Sequence, residues 1–434
     1  MENLTMEKLT QGQSRALAAA QAGESFFLTG GGGVGKTFIV LAIAKALEDM
    51  GKNVLLTAST GRAATLIGGA TAHRTFRIPI HMAWMTDAKL TDTVESADAV
   101  IIEEVSMLRM DAFDYVLRVI DQANNQRLRH RKPPIQLITV GDFGQLPPVI
   151  VDSRNGGPGE RDLMQMHYGG EIGGGYAYRI PGWKRLKTIS LTEAVRQRDV
   201  SLVNALNRVR FGDASALRYF QANARKVPWN DSDGAVCLCG KNRTADSINS
   251  ASLARLPGRM RTYYEAVWGD VSPQDKIAPS SIDLKEGARV LMLVNGPGYD
   301  NGTCGTVTKM GTNSVFVLMD NAKTPIEVQK HQWPVYRYEV NAGDVTLRTI
   351  GEVSQLPLRL GYAVTIHKSQ GQTYDKASLT LGYGANEIFA PGQLYVALSR
   401  VRSIDGLYID GDLGRVRVLA ANEVCDFYKR QMSA

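Results

Sequence analysis

Apolar residues in the first third of the chain form short continuous runs separated by stretches with helical spacing. After the first run, residues 38–51 place Ile39, Ile43 and Leu47 on one face of a helix that ends at Gly51. Regular exchange of strand and helix predicts an α/β fold with a parallel sheet. The runs whose length suits a buried strand are residues 25–30, 52–60, 97–102 and 135–142.

The segment between the first strand and the first helix has the sequence GGGGVGKT, from Gly30 to Thr37, and is called the phosphate loop below. It matches G-x-x-x-x-G-K-[ST], in which a loop without bulky side chains turns its N–H groups toward nucleotide phosphates. Lys36 would add positive charge, and Thr37 would offer a hydroxyl to Mg²⁺. A glycine-rich turn can match by chance, but the flanking strand and helix are the required context. The order predicts a nucleoside triphosphate site.

Length and composition limit the class of protein. The chain has 434 residues, and at roughly 150 residues per domain this predicts two or three domains. Apolar residues make up 44%, and the sequence has neither a membrane-spanning stretch nor an N-terminal signal pattern. Four scattered cysteines exclude a disulfide framework. A cytoplasmic protein is predicted, or one associated with the nucleoid in a prokaryote or phage-infected cell. The formal charge of +7 is compatible with a polyanionic partner without proving one.

Polar residues follow the third and fourth predicted strands directly. Glu103 and Glu104 come after the third strand, and Asp142 and Gln145 after the fourth. Because ligands of parallel sheets collect at the carboxyl ends of strands, these side chains are expected on the same edge as Lys36. One carboxylate would hold hydrated Mg²⁺ and another would polarise the attacking water. An exposed charged turn and a proline-closed loop are the alternatives without chemistry.

Seven further segments, in order, resemble motifs of the superfamily 1 DNA helicases of the RecD and Pif type. The resemblance covers nearly the whole chain, and it implies two RecA-like domains that hold ATP between them. The segments are TASTGRAA (57–64), GGATAHRTF (68–76), IIEEVSM (101–107), GDFGQLPPV (141–149), LTEAVRQ (191–197), GYAVTIHKSQGQT (361–373) and LYVALSRVRS (394–403).

The resemblance also implies site residues, carried over by position. Glu104 would position the attacking water, Gln145 would sense the γ-phosphate, and Arg196 and Arg400 would reach it from the second domain as arginine fingers; with Lys36 these form the predicted catalytic set. Nucleotide contacts are implied at Gln13, Gly31, Gly33, Val34, Gly35, Lys36, Thr37, Phe38, Gln370 and Gly371. Mg²⁺ would be held by Thr37 and Glu103. Contacts with a DNA strand are implied at Thr60, Gly61, Arg62, His73, Thr75, Phe76, Thr365, His367 and Lys368.

One position departs from the family pattern. The family usually has Asp-Glu where this chain has Glu103-Glu104. The added methylene moves the first carboxylate outward, so Mg²⁺, which tolerates little distortion, would be bound through water with altered geometry or less tightly. Hydrolysis is then expected to be slower than the family norm. Because Glu104 is intact, an active enzyme is still predicted.

Two domains are predicted, at residues 1–182 and 183–434. Residues 151–182 are rich in glycine and predict a long mobile loop that ends the first domain, before the strand KTISL opens the second. Short apolar runs between turns at residues 301–355 predict a small β-barrel inserted in the second domain, which the resemblance makes Src-homology-like.

An insertion at residues 78–97 separates the second and third strands. In the family it resembles, this position carries a small wedge beside the DNA fork. Met82, Trp84 and Met85 are therefore candidates to stack on bases, with packing on the core as an equal alternative.

Together these features predict a monomeric, ATP-dependent DNA helicase that moves 5′ to 3′ on single-stranded DNA and opens tailed or forked duplexes. The polarity follows from the resemblance alone. Roles in replication, recombination or repair, with proteins of those processes as partners, are expected. The alternatives are a translocase that strips proteins from DNA, a nucleotide switch that acts on a protein partner, and an RNA-directed enzyme. Arg196 and Arg400 argue against the switch, because a switch can await its arginine finger from a partner.

Overall fold

The structure is a computed structural model of the chain. It describes residues 9–79, 81–152, 158–193, 200–226, 235–271, 276–299, 303–320, 322–341, 344–372, 374, 376–382 and 386–432, without the side chains of residues 61, 62, 65, 336–341, 344–348 and 432.

The first domain is built on six strands and seven helices among the described residues. The strands are β1 (Phe26–Gly30), β2 (Val54–Ala58), β3 (Ala70–Thr71), β4 (Ala99–Glu103), β5 (Gln136–Gly141) and β6 (Lys187–Leu191). The helices are α1 (Gln11–Gln21), α2 (Lys36–Asp49), α3 (Gly61–Leu66), α4 (Ala72–Phe76), α5 (Asp92–Glu95), α6 (Met110–Arg129) and α7 (Glu160–Tyr168).

All neighbours in the first sheet run parallel, in the order β3-β2-β4-β5-β1-β6. Helices cover both faces, and alternate residues of β1 pack to opposite sides. Phe26 and Leu28 join the cluster that includes α1 and α2, whereas Phe27 joins the cluster that includes α6. A sheet buried on both faces explains why these strands are continuous apolar runs in the sequence.

The boundary predicted at Gly182 is wrong. Strand β6 contains the KTISL segment that was predicted to open the second domain, yet it pairs with β1, with Phe27 opposite Thr188. The described part of the glycine-rich segment before it, from residue 158 onward, contains α7 and two short 3₁₀ helices rather than a continuous loop. The length of the apolar run identified the strand correctly, but the sequence could not show which of the two sheets the strand joins.

The second domain and its inserted β-region contain the remaining elements. The helices are α8 (Val200–Arg210), α9 (Leu217–Asn223), α10 (Asn242–Arg255), α11 (Gln393–Leu398) and α12 (Asn422–Met432). The strands are β7 (Val236–Cys239), β8 (Arg261–Tyr264), β9 (Ala266–Gly269), β10 (Ser281–Leu284), β11 (Arg289–Met292), β12 (Cys304–Met310), β13 (Ser314–Met319), β14 (Ile326–Gln329), β15 (His331–Asn341), β16 (Asp344–Gln355), β17 (Leu358–Leu360), β18 (Ala363–Thr365), β19 (Ala377–Thr380) and β20 (Leu407–Asp410).

A second parallel sheet, in the order β18-β7-β19-β20, forms the core of this domain. Two parallel sheets flanked by helices confirm the predicted α/β class. Helix α12 returns to the first domain, where Phe427 packs into the same cluster as Phe27 and the Tyr428 hydroxyl lies 2.9 Å from Thr29 Oγ1. The second domain therefore does not contain all of the predicted range 183–434.

The inserted β-region extends beyond residues 301–355 on both sides. One antiparallel sheet has the order β14-β13-β12-β11-β17, and the long hairpin of β15 and β16 pairs instead with β9. The Src-homology-like barrel stays a prediction. Among the described residues, no helix is long and apolar enough to cross a membrane.

Candidate nucleotide site and adjoining cleft

The phosphate loop connects the carboxyl end of β1 to the first turn of α2. Gly35 precedes the helix with φ 77°, a left-handed conformation that favours glycine. The Lys36 ammonium turns back over the loop and donates to the carbonyl oxygens of Gly30 at 2.8 Å and Gly31 at 2.9 Å. The loop therefore presents a charged amine beside the N-terminus of a helix, an arrangement suited to phosphate.

Two carboxylates face this loop from the end of β4. The Thr37 hydroxyl donates to Glu103 Oε1 at 3.0 Å, and Glu104 follows with the left-handed φ of 54°. Burial, and for Glu103 also repulsion from Glu104, raises the pKa of both carboxyls. In the part of the chain that is described, Glu103 Oε2 and Glu104 Oε2 are buried without a hydrogen-bond partner. Unpaired carboxylate oxygens next to a threonine hydroxyl fit a hard divalent cation.

The loop after β5 brings Asp142 and Gln145 to the same edge of the sheet. Gln145 is 6% exposed, and its Oε1 has no hydrogen-bond partner among the described residues. The second domain approaches from the other side. A Cβ at Gly371 would lie 3.9 Å from Glu104 Oε1, so Gln370 and Gly371 adjoin the catalytic carboxylate predicted from sequence.

Arg400 is buried behind this part of the cleft. Its guanidinium donates to the carbonyl oxygens of Val396 at 2.8 Å, Ser369 at 3.2 Å and Gln372 at 2.8 Å. Burial lowers the pKa of Arg400, and the charge of Glu104 opposes that shift. Its role as an arginine finger stays a prediction. Arg196, the other predicted finger, lies outside the described residues.

The remaining predicted nucleotide contacts surround the loop. Gln13 is buried, donating from Nε2 to the Val34 carbonyl at 3.3 Å and accepting the Thr10 N–H at 3.1 Å. It therefore caps α1 and braces the loop in this structure. Phe38 is 40% exposed on α2. Gly33 has the left-handed φ of 81°.

A cleft of about 1570 Å³ separates the first domain from the second domain and the β-region. Of the predicted DNA contacts, Thr60, His367 and Lys368 line it. The prediction for Phe76 is wrong, because its side chain is fully buried in the first-domain core. Thr365 is 6% exposed within β18, and His73 and Thr75 lie outside the cleft lining. Gly61 begins α3, while the Arg62 side chain is not described.

Several cleft residues were missed by sequence reasoning. Helix α10 contributes Asn242, Asp246, Asn249 and Ser250, which recur at helical spacing and so form one polar face. That spacing was available in the sequence. The basic residues that line the cleft from the β-region, Lys276, Lys285 and Arg359, are distant in sequence and gave no such pattern.

The insertion at residues 78–97 is held by one face of α6. Asp111 Oδ2 accepts the Ala83 N–H at 3.0 Å, the Tyr115 hydroxyl accepts the Lys89 N–H at 3.3 Å, and Arg118 donates to the Ala83 carbonyl at 3.0 Å. Met82 is fully buried, which supports packing and excludes base stacking for this side chain. Trp84 stacks on His167, with ring centroids 4.5 Å apart. The insertion is thus attached to the helix that starts just after the Glu103-Glu104 pair.

The buried histidines are expected to reduce the free energy of unfolding as the pH is lowered below about 6.5, whereas the raised pKa values of Glu103 and Glu104 act in the opposite direction. Burial lowers the pKa of His367 from 6.5, and the pKa values of His73, His81 and His167 are lowered too. Below pH 6.5 these histidines therefore bind more protons in the unfolded chain than in the folded one, until the pH passes their lower folded pKa values. When melting temperatures are measured from pH 7.5 to 5, the wild-type chain should lose stability relative to His367→Gln as the pH falls. Equal slopes for His367→Gln and the wild-type chain would contradict this, with the exposed His130→Gln as control.

These elements define a P-loop ATPase in which a second α/β domain closes the nucleotide site beside a polar, partly basic cleft. The sequence model of the PIF1-like helicase family matches residues 8–213. The chain is 30% identical to the ATP-dependent DNA helicase Pif1 of Bdellovibrio bacteriovorus, over 98% of this chain and 92% of the relative. The human ATP-dependent DNA helicase PIF1 is 31% identical over 93% of this chain, which spans 61% of the longer human protein. This chain therefore belongs to the PIF1-like helicase family.

The solved structure of Bacteroides Pif1 bound to ssDNA covers 98% of this chain and 97% of its own, at 29% identity and a TM-score of 0.75. The unliganded structure of Pif1 from Bacteroides gives a TM-score of 0.58 over the same coverage. The arrangement of this chain is thus more similar to that of the strand-bound relative.

Proposed function

We propose that this chain is an ATP-dependent DNA helicase that binds single-stranded DNA in the cleft and hydrolyses ATP at the phosphate loop. One observation carries this: a single segment of the second domain serves both sites. His367 and Lys368 line the cleft, and Gly371, three residues further on, adjoins Glu104. A movement of this segment caused by a DNA strand would therefore alter the surroundings of the catalytic carboxylate.

Different residues of this chain have different roles in ATP hydrolysis. The phosphate loop and Lys36 hold the phosphates, Glu104 orients and polarises the attacking water, and Gln145 contacts the γ-phosphate. Arg196 and Arg400 stabilise the charge that develops on the phosphates. Closure around ATP and reopening after hydrolysis would then move the strand through the cleft, which has Thr60 on one wall and His367 and Lys368 on the other.

Mg²⁺ is proposed to bind at Thr37 and Glu103, where it would neutralise charge on the phosphate oxygens. Glu103→Gln should raise the Mg²⁺ concentration for half-maximal ATPase activity on the order of 10-fold, because an amide is a weaker ligand than a carboxylate for a hard cation. A Mg²⁺ titration at saturating ATP measures this. An unchanged titration curve would remove Glu103 from the metal site.

The helicase proposal is tested by ATPase assays with and without single-stranded DNA, together with unwinding of duplexes that carry a 5′ or a 3′ tail. Stimulated ATPase and unwinding from the 5′ tail are expected from a monomer. Unwinding from the 3′ tail alone would reverse the proposed polarity. Stimulated ATPase without unwinding would identify a translocase, and stimulation by RNA alone would identify an RNA-directed enzyme. No stimulation would favour the nucleotide switch.

Binding to replication or repair proteins is a further proposal that pull-down with purified partners would test.

The attachment of the insertion to α6 should matter for unwinding more than for ATP hydrolysis. Arg118→Met removes the donor to Ala83 but keeps a long apolar chain over the Tyr115 ring, which Arg118 covers at 5.2 Å. Unwinding of a forked duplex should fall on the order of 10-fold, because one such bond contributes about 1 kcal/mol or more when a charged donor is involved. DNA-stimulated ATPase should change far less. The exposed Arg129→Met on the same helix is the control, and equal losses in both activities would refute the assignment.

A further inference from the structure

Tyr395 joins the second domain to two separate parts of the nucleotide site. Its side chain lies on α11 and is 1% exposed. The hydroxyl accepts the N–H of Gly32 in the phosphate loop at 2.7 Å and donates to Asp142 Oδ2 at 2.7 Å. Gly32 and Asp142 follow β1 and β5, which are neighbours in the first sheet. A single phenol is therefore bonded to both loops that approach the phosphates.

The direction of these bonds is fixed by the surroundings of Asp142. Burial next to this carboxylate raises the pKa of Tyr395 well above its usual value, so the phenol keeps its proton and donates it to Asp142. Asp142 is itself fully buried, accepting Arg210 Nε at 2.7 Å and the Gly144 N–H at 3.0 Å. Because Asp142 cannot turn away without breaking a buried ion pair, the Tyr395 hydroxyl has a rigid acceptor.

Close packing couples α11 to the same two loops. A Cβ at Gly32 in the phosphate loop would lie 3.2 Å from the Cβ of Ser399, directly after α11, and Gly31 lies against Asn207 of α8. A Cβ at Gly392, just before α11, would lie 2.5 Å from the carbonyl oxygen of Gln145. A shift of α11 toward either loop would therefore displace it, and a shift away would break the Tyr395 bonds.

Beyond the other end of α11, hydrogen bonds connect the chain to the segment that lines the cleft. Arg400, two residues beyond the helix, donates to the carbonyl oxygens of Ser369 and Gln372, which follow His367 and Lys368 in the chain. One short helix thus connects the segment that lines the cleft with the phosphate loop and the loop of Gln145.

We propose that Tyr395 is a positioning residue that transmits the binding of a nucleic-acid strand in the cleft to the phosphate loop and Gln145. This inference rests on the proposed function of the two sites. When a strand holds the segment around His367, α11 is held against the first domain. The Tyr395 hydroxyl then fixes Gly32 and Asp142 in the geometry that hydrolysis requires. Tyr395 acts through these two residues rather than on the reacting atoms.

Tyr395→Phe tests the proposal, since it removes one oxygen and keeps the ring. The affinity for a fluorescent oligothymidylate is measured with and without a non-hydrolysable ATP analogue, and ATPase is measured across oligothymidylate and ATP concentrations. In the wild-type chain each ligand should alter the affinity for the other by the same factor. In Tyr395→Phe this factor should approach one, and the stimulation of kcat by the oligonucleotide should fall about 10-fold or more. Tyr408→Phe is the matched control, because Tyr408 is also buried and its hydroxyl bonds to Arg225 within the second domain.

Each other outcome overturns the proposal in a recognisable way. A wild-type coupling factor in Tyr395→Phe would show that the hydroxyl transmits nothing, and a raised KM with full stimulation of kcat would assign it to ATP binding alone. Asp142→Asn changes the acceptor of the same hydroxyl, so the double variant should lose no more coupling than Tyr395→Phe alone. Additive losses would contradict a coupling that passes through this hydrogen bond. A wild-type chain without stimulation would refute the proposed function itself, before any variant is compared.

Discussion

Glu104→Gln is expected to lower the rate of ATP hydrolysis by about 10²-fold or more, the scale of a lost general base. The amide keeps the shape of the side chain but cannot polarise the attacking water. ATP binding should be retained, because Lys36 and the phosphate loop are untouched. Melting temperature should not fall, since burial already raises the pKa of Glu104 and disfavours its charged form. Single-turnover hydrolysis and binding of a fluorescent ATP analogue measure the two effects.

Glu24→Gln is the matched control for this variant. Glu24 precedes β1, at the opposite edge of the first sheet, and pairs with Lys187 on the surface. Loss of the Glu24 carboxylate should leave the rate of ATP hydrolysis unchanged. If Glu104→Gln hydrolysed ATP at the wild-type rate, the assignment of Glu104 as the catalytic base would be wrong, and the adjacent Glu103 would be the next candidate.

Arg400→Lys should reduce DNA-stimulated hydrolysis by about 10³-fold, the lower end of the contribution of an arginine finger. Lysine keeps the charge but cannot reproduce a planar guanidinium that bonds to Val396, Ser369 and Gln372 together. The melting temperature should therefore also fall, since buried carbonyl oxygens lose their donors. Stopped-flow hydrolysis at saturating ATP and thermal melts of the same protein separate the two roles.

Arg402→Lys is the control for this variant, because it also replaces a guanidinium with an amine but does so at a different position. Arg402 lies two residues further along and is exposed. It should tolerate lysine. A lower melting temperature in Arg400→Lys together with a wild-type hydrolysis rate would restrict Arg400 to supporting the segment from His367 to Gln372.

Local sequence was sufficient to predict where the residues of the proposed nucleotide site lie in the fold. The phosphate loop, the carboxylates after β4 and the loop after β5 could be assigned because a parallel sheet places the carboxyl ends of its strands along one edge. The sequence also identified β6 as a strand. Its partner was assigned wrongly, because the choice between the edge of one sheet and the start of another depends on packing that apolar length does not encode.

Phe76 shows the same limit within a motif. Its neighbours in the segment GGATAHRTF implied contact with DNA, yet its ring is buried under the first sheet. Side chains on α4 point in different directions, and a motif alone does not state which of them faces the core. For the same reason the sequence left both base stacking and core packing open for Met82. Its complete burial supports core packing.

The sequence by itself predicted a nucleoside triphosphate site, the carboxylates that face the phosphate loop and the family that the chain resembles, because those features depend on residues close together in the chain. Tertiary structure alone decided that Tyr395 reaches Gly32, 363 positions away, and that Tyr428 of α12 closes on Thr29, 399 positions away. Such contacts arise when two sheets and a returning helix pack together, and hydrogen bonds between distant residues leave no periodic trace along a single chain. The predicted catalytic residues are thus found from local sequence, whereas the contacts that connect them with the cleft exist only in the folded molecule.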